Sequence, residues 1–297
     1  MSRMLRNKKI WGVAIFAICV IVSARQVRFR LSDEDFVQLL EQTSNLNEIE
    51  VNYHTHNHVN IRYVSIENKA NTLLVFVHGS PSSSWFWTTF LKDNDLLANA
   101  SMLAIDRPGY GYSNFGVPMI SVKNQAEHIA PIIWKYRNKY DNIVLVGSSY
   151  GGTVVARLLM DEHQLADGAL FISSSFAPGE EKTYWISYPT QYEPLKWMMP
   201  TIVQVASSEK LNHKASLLEM GNLWNKIDVP LVFFHGTDDG LIYPSNLEFA
   251  LDRVDPKMVH EVIEVPERGH DLMFTEPDLI KTKLIEFIGS MNTISMK

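Results

Sequence analysis

The chain has 297 residues, of which 46% are hydrophobic and 11% aromatic, and its formal net charge is −6. This length and apolar content fit one large α/β domain or two small ones and argue against a disordered or low-complexity chain. The acidic balance argues against a nucleic-acid-binding surface, and the single cysteine, Cys19, excludes an intramolecular disulfide and leaves no thiolate beyond residue 30 for catalysis or zinc binding.

The first 30 residues have the composition of an export signal or a membrane anchor. They contain seven Lys or Arg and no acidic residue, and residues 10–24 form an uncharged run. Residues 22–24, Val-Ser-Ala, resemble a cleavage site, but three arginines follow closely, and the run is shorter than the ~20 residues that span a bilayer. We expect residues 1–30 to form an uncleaved single-pass anchor that leaves the rest of the chain outside the cytoplasm. The alternatives are a cleaved signal, with a secreted or periplasmic product, and a buried N-terminal helix.

The next segment, residues 31–48, contains the acidic amphipathic stretch SDEDFVQLLEQ, which begins at a capping Ser32 or Asp33 and predicts a linker helix. From residue 49 to residue 290, short apolar runs alternate with segments of helical length. IEVNYHT and VNIRYVSIE predict a β-hairpin, and TLLVFVHG, SMLAID, NIVLVG, ALFISS, PLVFFHG and VHEVIEV predict further strands. Helical patterns lie between them, at 125–139, 150–162 and 278–288. This order predicts one α/β domain whose mostly parallel sheet carries helices on both faces.

One interval is too long for an ordinary crossover. About 55 residues separate ALFISSS from PLVFFHG, whereas connections in α/β units are usually much shorter. The interval is rich in aromatic side chains, namely Tyr184, Trp185, Tyr188, Tyr192, Trp197 and Trp224. We therefore expect a helical lid, inserted at about 176–228, over the carboxyl edge of the sheet.

The stretch VGSSYGG places a serine at a strand-to-helix turn. Residues 147–151 fit the pattern G-x-S-x-G, between the apolar strand NIVLV and the helical segment YGGTVVARLLM. The glycines permit a turn so sharp that a Cβ would strike neighbouring backbone, and the turn lifts the hydroxyl of Ser149 out of the sheet edge. Ser149 is therefore the candidate nucleophile, and Ser148 is a spacer.

A serine hydroxyl needs a neighbouring base and an acid that orients this base. Both residue types follow in the chain, in TDDGLIYP after PLVFFHG and in PERGHDLMF after VHEVIEV. His270 is preferred as the base over His260 because it follows Gly269 in a loop, whereas His260 lies within a strand pattern. Asp239 is the candidate acid, and Asp238 remains an alternative that could instead cap the next helix.

An oxyanion site is expected from two backbone N–H groups. One belongs to Tyr150, the residue after the candidate nucleophile, and the other to Ser80 in the HGSP turn that ends the third strand. Gly79 lets this backbone approach the site, and Pro81 stiffens the turn.

Taken together, the motifs resemble those of the α/β-hydrolase superfamily over about residues 51–288. HGSP matches the oxyanion loop of that family, DRPGYGYS the loop after the fourth strand, GSSYGG the nucleophile turn, HGTDDGLIYP the acid loop and ERGHD the histidine loop. The resemblance implies an eight-stranded sheet with an inserted cap, no metal or organic cofactor, and an Asp106–Arg107 pair that caps and clamps its own loop.

Two positions depart from the family pattern. Ser148 stands where histidine is common, and Pro244 follows Asp239 by five residues where four are frequent, which loosens the choice between Asp238 and Asp239. Epoxide hydrolases and haloalkane dehalogenases share HGxP and the cap but carry an aspartate at the nucleophile position, so Ser149 argues against both.

These features predict a serine hydrolase that cleaves an ester or related acyl bond of a small apolar or aromatic substrate through an acyl-enzyme. Amide or carbon-carbon bond hydrolysis with the same residues, and a catalytically silent member that binds a hydrophobic ligand, are the alternatives. The candidate substrate contacts are aromatic residues beside the oxyanion loop and in the lid, namely Trp85, Trp87, Trp185 and Trp197.

The remaining expectations concern metals and partners. His54, His56 and His58 alternate and would share one face of a strand, where they could bind a metal, but no acidic or cysteine ligand is near, so we expect an exposed hairpin. We also expect a small-molecule substrate, a membrane contact through residues 1–30 and no nucleic-acid partner; the oligomeric state does not follow from the sequence.

Overall fold

The computed structural model describes residues 27, 29–42, 48–188, 191–193 and 195–294. Its strands are β1 Glu48–His56, β2 Val59–Glu67, β3 Thr72–Val77, β4 Ser101–Ile105, β5 Asn142–Ser148, β6 Gly168–Ile172, β7 Leu231–Gly236 and β8 Val259–Val265. They form one sheet in the order β1-β2-β4-β3-β5-β6-β7-β8. β2 pairs antiparallel with β1 and β4, and all other neighbours pair in parallel. The predicted α/β fold with a mostly parallel eight-stranded sheet is confirmed.

Helices connect the strands. The α-helices in the described part of the chain are α1 Asp33–Glu41, α2 Thr88–Leu91, α3 Asn94–Asn99, α4 Val122–Trp134, α5 Tyr150–Asp161, α6 Leu195–Met198, α7 Thr201–Met220, α8 Ser245–Leu251, α9 Leu272–Thr275 and α10 Pro277–Ile294. Short 3-10 turns occur at Ser84–Trp87, Trp185–Ser187, Trp224–Lys226 and Pro256–Met258.

The sheet is covered on both faces, which explains the continuous apolar runs of its central strands. On β3, Leu73, Val75 and Val77 belong to a core cluster that includes side chains of α4 and α5. Leu74 and Phe76, which alternate with them, belong to the opposite cluster with side chains of α1 and α10. Because successive side chains of a strand point to opposite faces, a strand buried on both faces must be apolar throughout.

The segment predicted as a linker helix packs against the sheet. Ser32 caps α1 by accepting a hydrogen bond from the backbone N–H of Asp35 at 3.1 Å. Phe36 and Leu40, on one side of α1, are buried in the second core cluster. The sequence predicted the helix with either Ser32 or Asp33 as its cap, and it did not predict the surface on which the helix docks.

The N-terminal anchor predicted for residues 1–30 falls almost entirely outside the described residues. Within the part of the chain that the structure describes, no helix combines the length and the apolar composition that a bilayer crossing needs.

The long interval between β6 and β7, residues 173–230, is called the insert below. It contains the turn at Trp185–Ser187, α6, α7 and the turn at Trp224–Lys226. One face of α7 is buried, with side chains spaced mostly by three or four residues, as in a helix packed along one side: Ile202, Val205, Glu209, His213, Leu217 and Met220. The start of the insert is tied to the loop after β7 by a bridge between Glu181 and Ile242.

Candidate active site

Ser149 occupies the turn between β5 and α5, at the carboxyl edge of the sheet. Its backbone angles are φ 53° and ψ −124°, a left-handed φ that residues with a side chain rarely adopt. Backbone hydrogen bonds hold it there: its N–H donates to Ile172 O at 2.9 Å, and its carbonyl accepts from Gly152 N at 3.0 Å. The hydroxyl thus stands beside the first turn of α5, whose N–H groups have no acceptor within the helix.

Glycines make this turn possible. A Cβ on Gly151 would lie 2.2 Å from Val77 O, and a Cβ on Gly152 would lie 1.9 Å from Ser174 Oγ. A Cβ on Gly147 would lie 2.6 Å from the Cα of Gly152. All three distances are far shorter than van der Waals contact, so the turn excludes any larger residue at these positions.

The structure brings His270 and Asp239 to Ser149. His270 Nε2 lies 3.0 Å from Ser149 Oγ, and His270 Nδ1 lies 2.8 Å from Asp239 Oδ2. Asp239 follows β7 and His270 follows β8, so the carboxyl ends of parallel strands place both near the turn after β5. Because the carboxylate accepts the Nδ1 proton, Nε2 is left to accept the proton of the serine hydroxyl.

Asp239 is a buried and fully bonded carboxylate. It is 2% exposed, and its Oδ1 accepts the N–H groups of Leu241 and Ile242, each at 2.9 Å. Burial by itself raises the pKa of Asp239, but the hydrogen bonds from His270 and from these backbone N–H groups outweigh it and hold the pKa below its usual value. The side chain is therefore an anion at neutral pH. Asp238, in contrast, is exposed.

The loop after β3 approaches the same point. A Cβ on Gly79 would lie 3.1 Å from Ser149 Cβ, so the loop backbone passes directly beside the serine. Ser80 and Tyr150, the two predicted N–H donors, line the cavity together with Ser149. The hydroxyl of Ser80 is turned away to Tyr110, with 2.7 Å between Ser80 Oγ and the phenol oxygen.

Arg107 holds this loop by its backbone carbonyls. Its Nε donates to His78 O at 2.8 Å and its guanidinium donates to Gly79 O at 3.0 Å. The His78 ring lies between the two loops: its Nδ1 donates to Gly79 O, and its Nε2 accepts the backbone N–H of Arg107. Burial and the neighbouring Arg107 guanidinium keep the pKa of His78 well below its usual value. Within its own loop, Asp106 accepts the Tyr112 N–H at 3.0 Å, and the Arg107 guanidinium lies 4.7 Å from the ring centre of Tyr110. The expectation did not include the further reach of the Arg107 side chain to the oxyanion loop.

A cavity of about 300 Å³ opens at Ser149. Its apolar lining comes largely from the insert and the loop after β7: Pro81, Tyr184, Met199, Val203, Ala206, Leu241 and Ile242. Three charged side chains, Glu181, Lys182 and Lys210, also line it. Sequence reasoning missed these three because they lie in the insert, in stretches without a motif.

The tryptophans predicted as substrate contacts do not line the described part of this cavity. Trp87 is fully buried, with ring centroids 4.9 Å from Phe76 and 5.7 Å from Phe90. The prediction that Trp87 contacts the substrate is wrong because the turn at Ser84–Trp87 places this side chain in the core. Trp85, Trp185 and Trp197 lie on the surface and are 41%, 77% and 46% exposed.

The alternating histidines lie on β1 and the turn after it. The rings of His54 and His56 stack with centroids 6.4 Å apart, and His56 meets His128 of α4 edge-on at 5.4 Å. Among the described residues, no group of three or more His, Cys, Asp or Glu side chains is arranged to hold a metal ion.

Comparison with known proteins agrees with this architecture. A family model described as the alpha/beta hydrolase family matches residues 74–281. Among solved structures, the fold is similar to that of a protein assigned as a lipase from Acinetobacter baumannii AYE (TM-score 0.64, 16% identity, 87% of this chain and 97% of that chain). It is also similar to an esterase from Rhodococcus sp. ECU1013 (0.60, 22%, 82% and 98%) and to a membrane phospholipase A described as a bacterial virulence factor (0.63, 17%, 98% and 99%). No curated protein matches the sequence.

Proposed function

The chain belongs to the alpha/beta hydrolase family, and we propose that it is a serine hydrolase that cleaves an ester, or a related acyl bond, next to an apolar or aromatic group through an acyl-enzyme. One observation carries the proposal: a continuous hydrogen-bonded chain runs from Ser149 through His270 to Asp239, and it borders a largely apolar cavity. A serine hydroxyl becomes a nucleophile when a base accepts its proton and a third group orients that base.

In the proposed reaction, Ser149 Oγ attacks the carbonyl carbon while His270 Nε2 takes the hydroxyl proton. The π electrons of the carbonyl move to its oxygen, and the backbone N–H groups of Ser80 and Tyr150 donate to this oxyanion. Collapse of the intermediate breaks the bond to the alcohol, which leaves with the proton from His270. The same imidazole then takes a proton from a water molecule, whose oxygen attacks the acyl carbon. The bond from this carbon to Ser149 Oγ breaks, the imidazolium returns the proton to Oγ, and the acid is released.

Asp239 supports both steps without exchanging a proton. Its lowered pKa keeps it ionised, so it fixes the Nδ1–H tautomer of His270 and stabilises the imidazolium that forms during each attack. The backbone N–H groups of Leu241 and Ile242 bind its other oxygen, Oδ1, which limits the movement of the carboxylate relative to the imidazole.

The same three side chains could serve an amide or a carbon-carbon bond hydrolase, and a silent member could keep the cavity for ligand binding. The intact chain of hydrogen bonds favours an enzyme over a silent binder. Two structural neighbours, an esterase and a protein assigned as a lipase, favour an ester as the bond that is cleaved.

For localisation, we propose that residues 1–30 anchor the protein to a membrane with the catalytic edge of the sheet towards the bilayer. The support is the position of residues 29–30. Ser83 Oγ donates to Phe29 O at 2.7 Å, and the guanidinium of Arg30 lies 3.7 Å from the ring centre of Tyr112. Both partners lie in loops that follow the carboxyl ends of β3 and β4, on the same edge as Ser149. Cleavage of this segment, giving a secreted or periplasmic protein, is the alternative.

A fluorophosphonate probe tests the nucleophile. We expect it to label Ser149, as located by peptide mass spectrometry, because the Ser149 hydroxyl has His270 as a base and the predicted N–H donors of Ser80 and Tyr150 beside it. Ser149→Ala should abolish labelling and lower the hydrolysis of p-nitrophenyl esters by roughly 10⁴-fold or more, whereas the matched control Ser148→Ala should retain both. Labelling that survives in Ser149→Ala contradicts the proposal, and esters of rising chain length measure the acyl preference of the cavity.

A further inference from the structure

The cavity contains an ion pair that the proposed mechanism does not use. Lys210 Nζ lies 2.8 Å from Glu181 Oε1, and the two side chains are 20% and 8% exposed. Both line the cavity together with Ser149. The backbone of Glu181 pairs with Ile242, whose N–H also binds Asp239. The ion pair is therefore held at a defined position relative to the catalytic side chains.

The carboxylate of Glu181 is bound by other side chains of the protein. Its carboxylate accepts from Ser175 Oγ at 3.1 Å and lies 3.2 Å from His213 Nδ1, in addition to its contact with Lys210. Burial by itself raises the pKa of Glu181, but the contacts with His213 and Lys210 outweigh it and lower the pKa to about 2. Glu181 is thus an anion whose oxygens already have protein donors, so it is not placed to receive a cationic substrate group.

Lys210 is the side chain of the pair that can serve a ligand. An ammonium has three donors, and Glu181 is its ion partner among the described residues. A second ammonium, Lys182, lines the same cavity, with its Nζ 5.1 Å from the ring centre of Tyr184. The two ammonium groups and one carboxylate in the lining sum to a positive charge, which favours a ligand that carries negative charge.

We propose, resting on the proposed function, that Lys210 binds an anionic oxygen group of the substrate, a carboxylate or a phosphate. The preferred substrates are then esters that carry such a group beside an apolar chain. Hydrogen bonds between an ammonium and an anionic oxygen are strong in a partly desolvated site. Glu181 orients the ammonium for this contact.

Two pairs of matched esters, hydrolysed by the wild type and by variants of Lys210, test the proposal. The first pair, mono-p-nitrophenyl adipate and p-nitrophenyl hexanoate, differs by a carboxylate on the acyl side. The second pair, the hexanoyl esters of 4-hydroxybenzoate and of phenol, differs by a carboxylate on the alcohol side. We expect Lys210→Met to lower kcat/KM for the anionic member of at least one pair by about tenfold or more, with the neutral member changed by less than about twofold. Lys210→Arg should keep the preference, and Lys214→Met, on the same helix but outside the lining, is the control.

The outcomes separate this inference from the proposed function. If the wild type hydrolyses the neutral esters and labels at Ser149, but the anionic-to-neutral ratio is the same in Lys210→Met for both pairs, the proposed role of Lys210 is overturned and the hydrolase remains. If the wild type hydrolyses none of the esters and does not label, the proposed function fails and takes this inference with it.

An independent observation links the insert to the oxyanion loop. Glu209, on the buried face of α7, is fully buried. Its carboxylate accepts from Arg107 at 2.8 Å, from Gln125 Nε2 at 2.8 Å and from the Tyr110 hydroxyl at 2.5 Å. The insert thus contributes the anion that balances the buried guanidinium of Arg107.

Two of these partners continue to the oxyanion loop. Arg107 donates to two backbone carbonyls of that loop. The Tyr110 hydroxyl donates its hydrogen bond to Glu209, so its oxygen accepts a hydrogen bond from Ser80 Oγ at 2.7 Å. We infer that Glu209 is a positioning residue, which holds the Ser80 N–H in place for the oxyanion through Arg107 and Tyr110. This inference also rests on the proposed function.

Tyr110→Phe and Glu209→Gln test this role. A trifluoromethyl ketone with a hexyl chain mimics the oxyanion, because addition of Ser149 to its carbonyl leaves a negative oxygen. We expect kcat to fall by about tenfold and the Ki of the ketone to rise by a similar factor, with KM changed by less than about twofold, since the oxyanion contact exists only in the transition state. Glu219→Gln, on the same helix and 55% exposed, is the control.

A merely structural role gives a different result. If the variants lose thermal stability but keep the wild-type kcat and Ki, the positioning role is overturned. Should Glu209→Gln fail to fold, Tyr110→Phe decides alone, because it removes one hydroxyl and leaves the ion pair in place. Labelling of wild-type Ser149 tests the proposed function separately.

Discussion

Asp239 Oδ2 lies 2.8 Å from His270 Nδ1, although a second carboxylate, Asp238, stands one residue earlier in the chain. The turn after β7 makes the difference. The N–H groups of Leu241 and Ile242 bind Asp239 Oδ1 and turn this side chain towards the imidazole. Asp238 is left exposed.

Replacement of each aspartate by asparagine tests this assignment. We expect Asp239→Asn to lower kcat on an activated ester by roughly 10³ to 10⁴, because an amide cannot fix the His270 tautomer or stabilise the imidazolium. Asp238→Asn should cost far less, since its carboxylate is exposed. Steady-state kinetics of both purified variants, with circular dichroism to verify folding, measures the difference.

The two other outcomes are informative. If Asp238→Asn is the impaired enzyme, the acid has been assigned to the wrong residue. If both variants keep the wild-type kcat, Ser149, His270 and an aspartate do not work as a unit, and the proposed mechanism fails.

The sheet and the turn at Ser149 could be predicted because their signals are local. The alternation of apolar runs and helical segments identified all eight strands, and G-x-S-x-G depends on glycines within a few residues of the serine. The choice between Asp238 and Asp239 could not be made in the same way, because it depends on how one turn folds and not on the residue types in it.

The contents of the cavity could not be predicted because they depend on long-range packing. Lys210 and Glu209 are neighbours on α7, yet the first lines the cavity and the second binds Arg107, 102 residues earlier in the sequence. A helix places consecutive residues on different faces, and only the docking of α7 decides what each face meets. Trp87 failed for the same reason: it lies beside the oxyanion loop in the sequence, but packing places its side chain in the core and not in the cavity.

Two glycine substitutions should have opposite effects on stability. Gly151→Ala puts a Cβ 2.2 Å from a backbone oxygen, so we expect the free energy of unfolding to fall by about 3 kcal/mol or more. Gly289→Ala, in α10, meets nothing within 4 Å and should raise that free energy by up to about 1 kcal/mol, the usual gain within a helix. Urea unfolding measures both. Equal stability of Gly151→Ala and wild type would contradict the packing described for the turn.

Membrane association should depend on the N-terminal segment. We expect the full chain to sediment with membranes and to resist extraction by alkaline carbonate, because its uncharged run lies between basic flanks. A chain that begins at Val27 keeps Phe29 and its contact with Ser83, and it should be soluble and active. Membrane pelleting with an activity assay on both fractions checks this. Equal distribution of the two chains between the fractions would remove the anchor.

The acid sensitivity of folding should depend on Glu181. Its pKa is about 2 in the folded chain against an ordinary value of 4.5. Between these two values the unfolded chain binds a proton that the folded chain does not, so the stabilisation is complete above pH 4.5 and is lost as the pH falls towards 2. Because the side chain is 8% exposed, solvent screens the contacts little, and the full effect is about 3 kcal/mol.

Urea unfolding at pH 6 and pH 3 measures this contribution. At pH 3 about 2 kcal/mol of it should be lost, so the free energy of unfolding of the wild type should fall between the two conditions by about that much more than that of Glu181→Gln. Glu127→Gln, whose carboxylate is 49% exposed on α4, controls for the removal of one acidic group. If Glu181→Gln and the wild type lose the same free energy, Glu181 does not carry the charge that holds Lys210 and His213 beside the cavity.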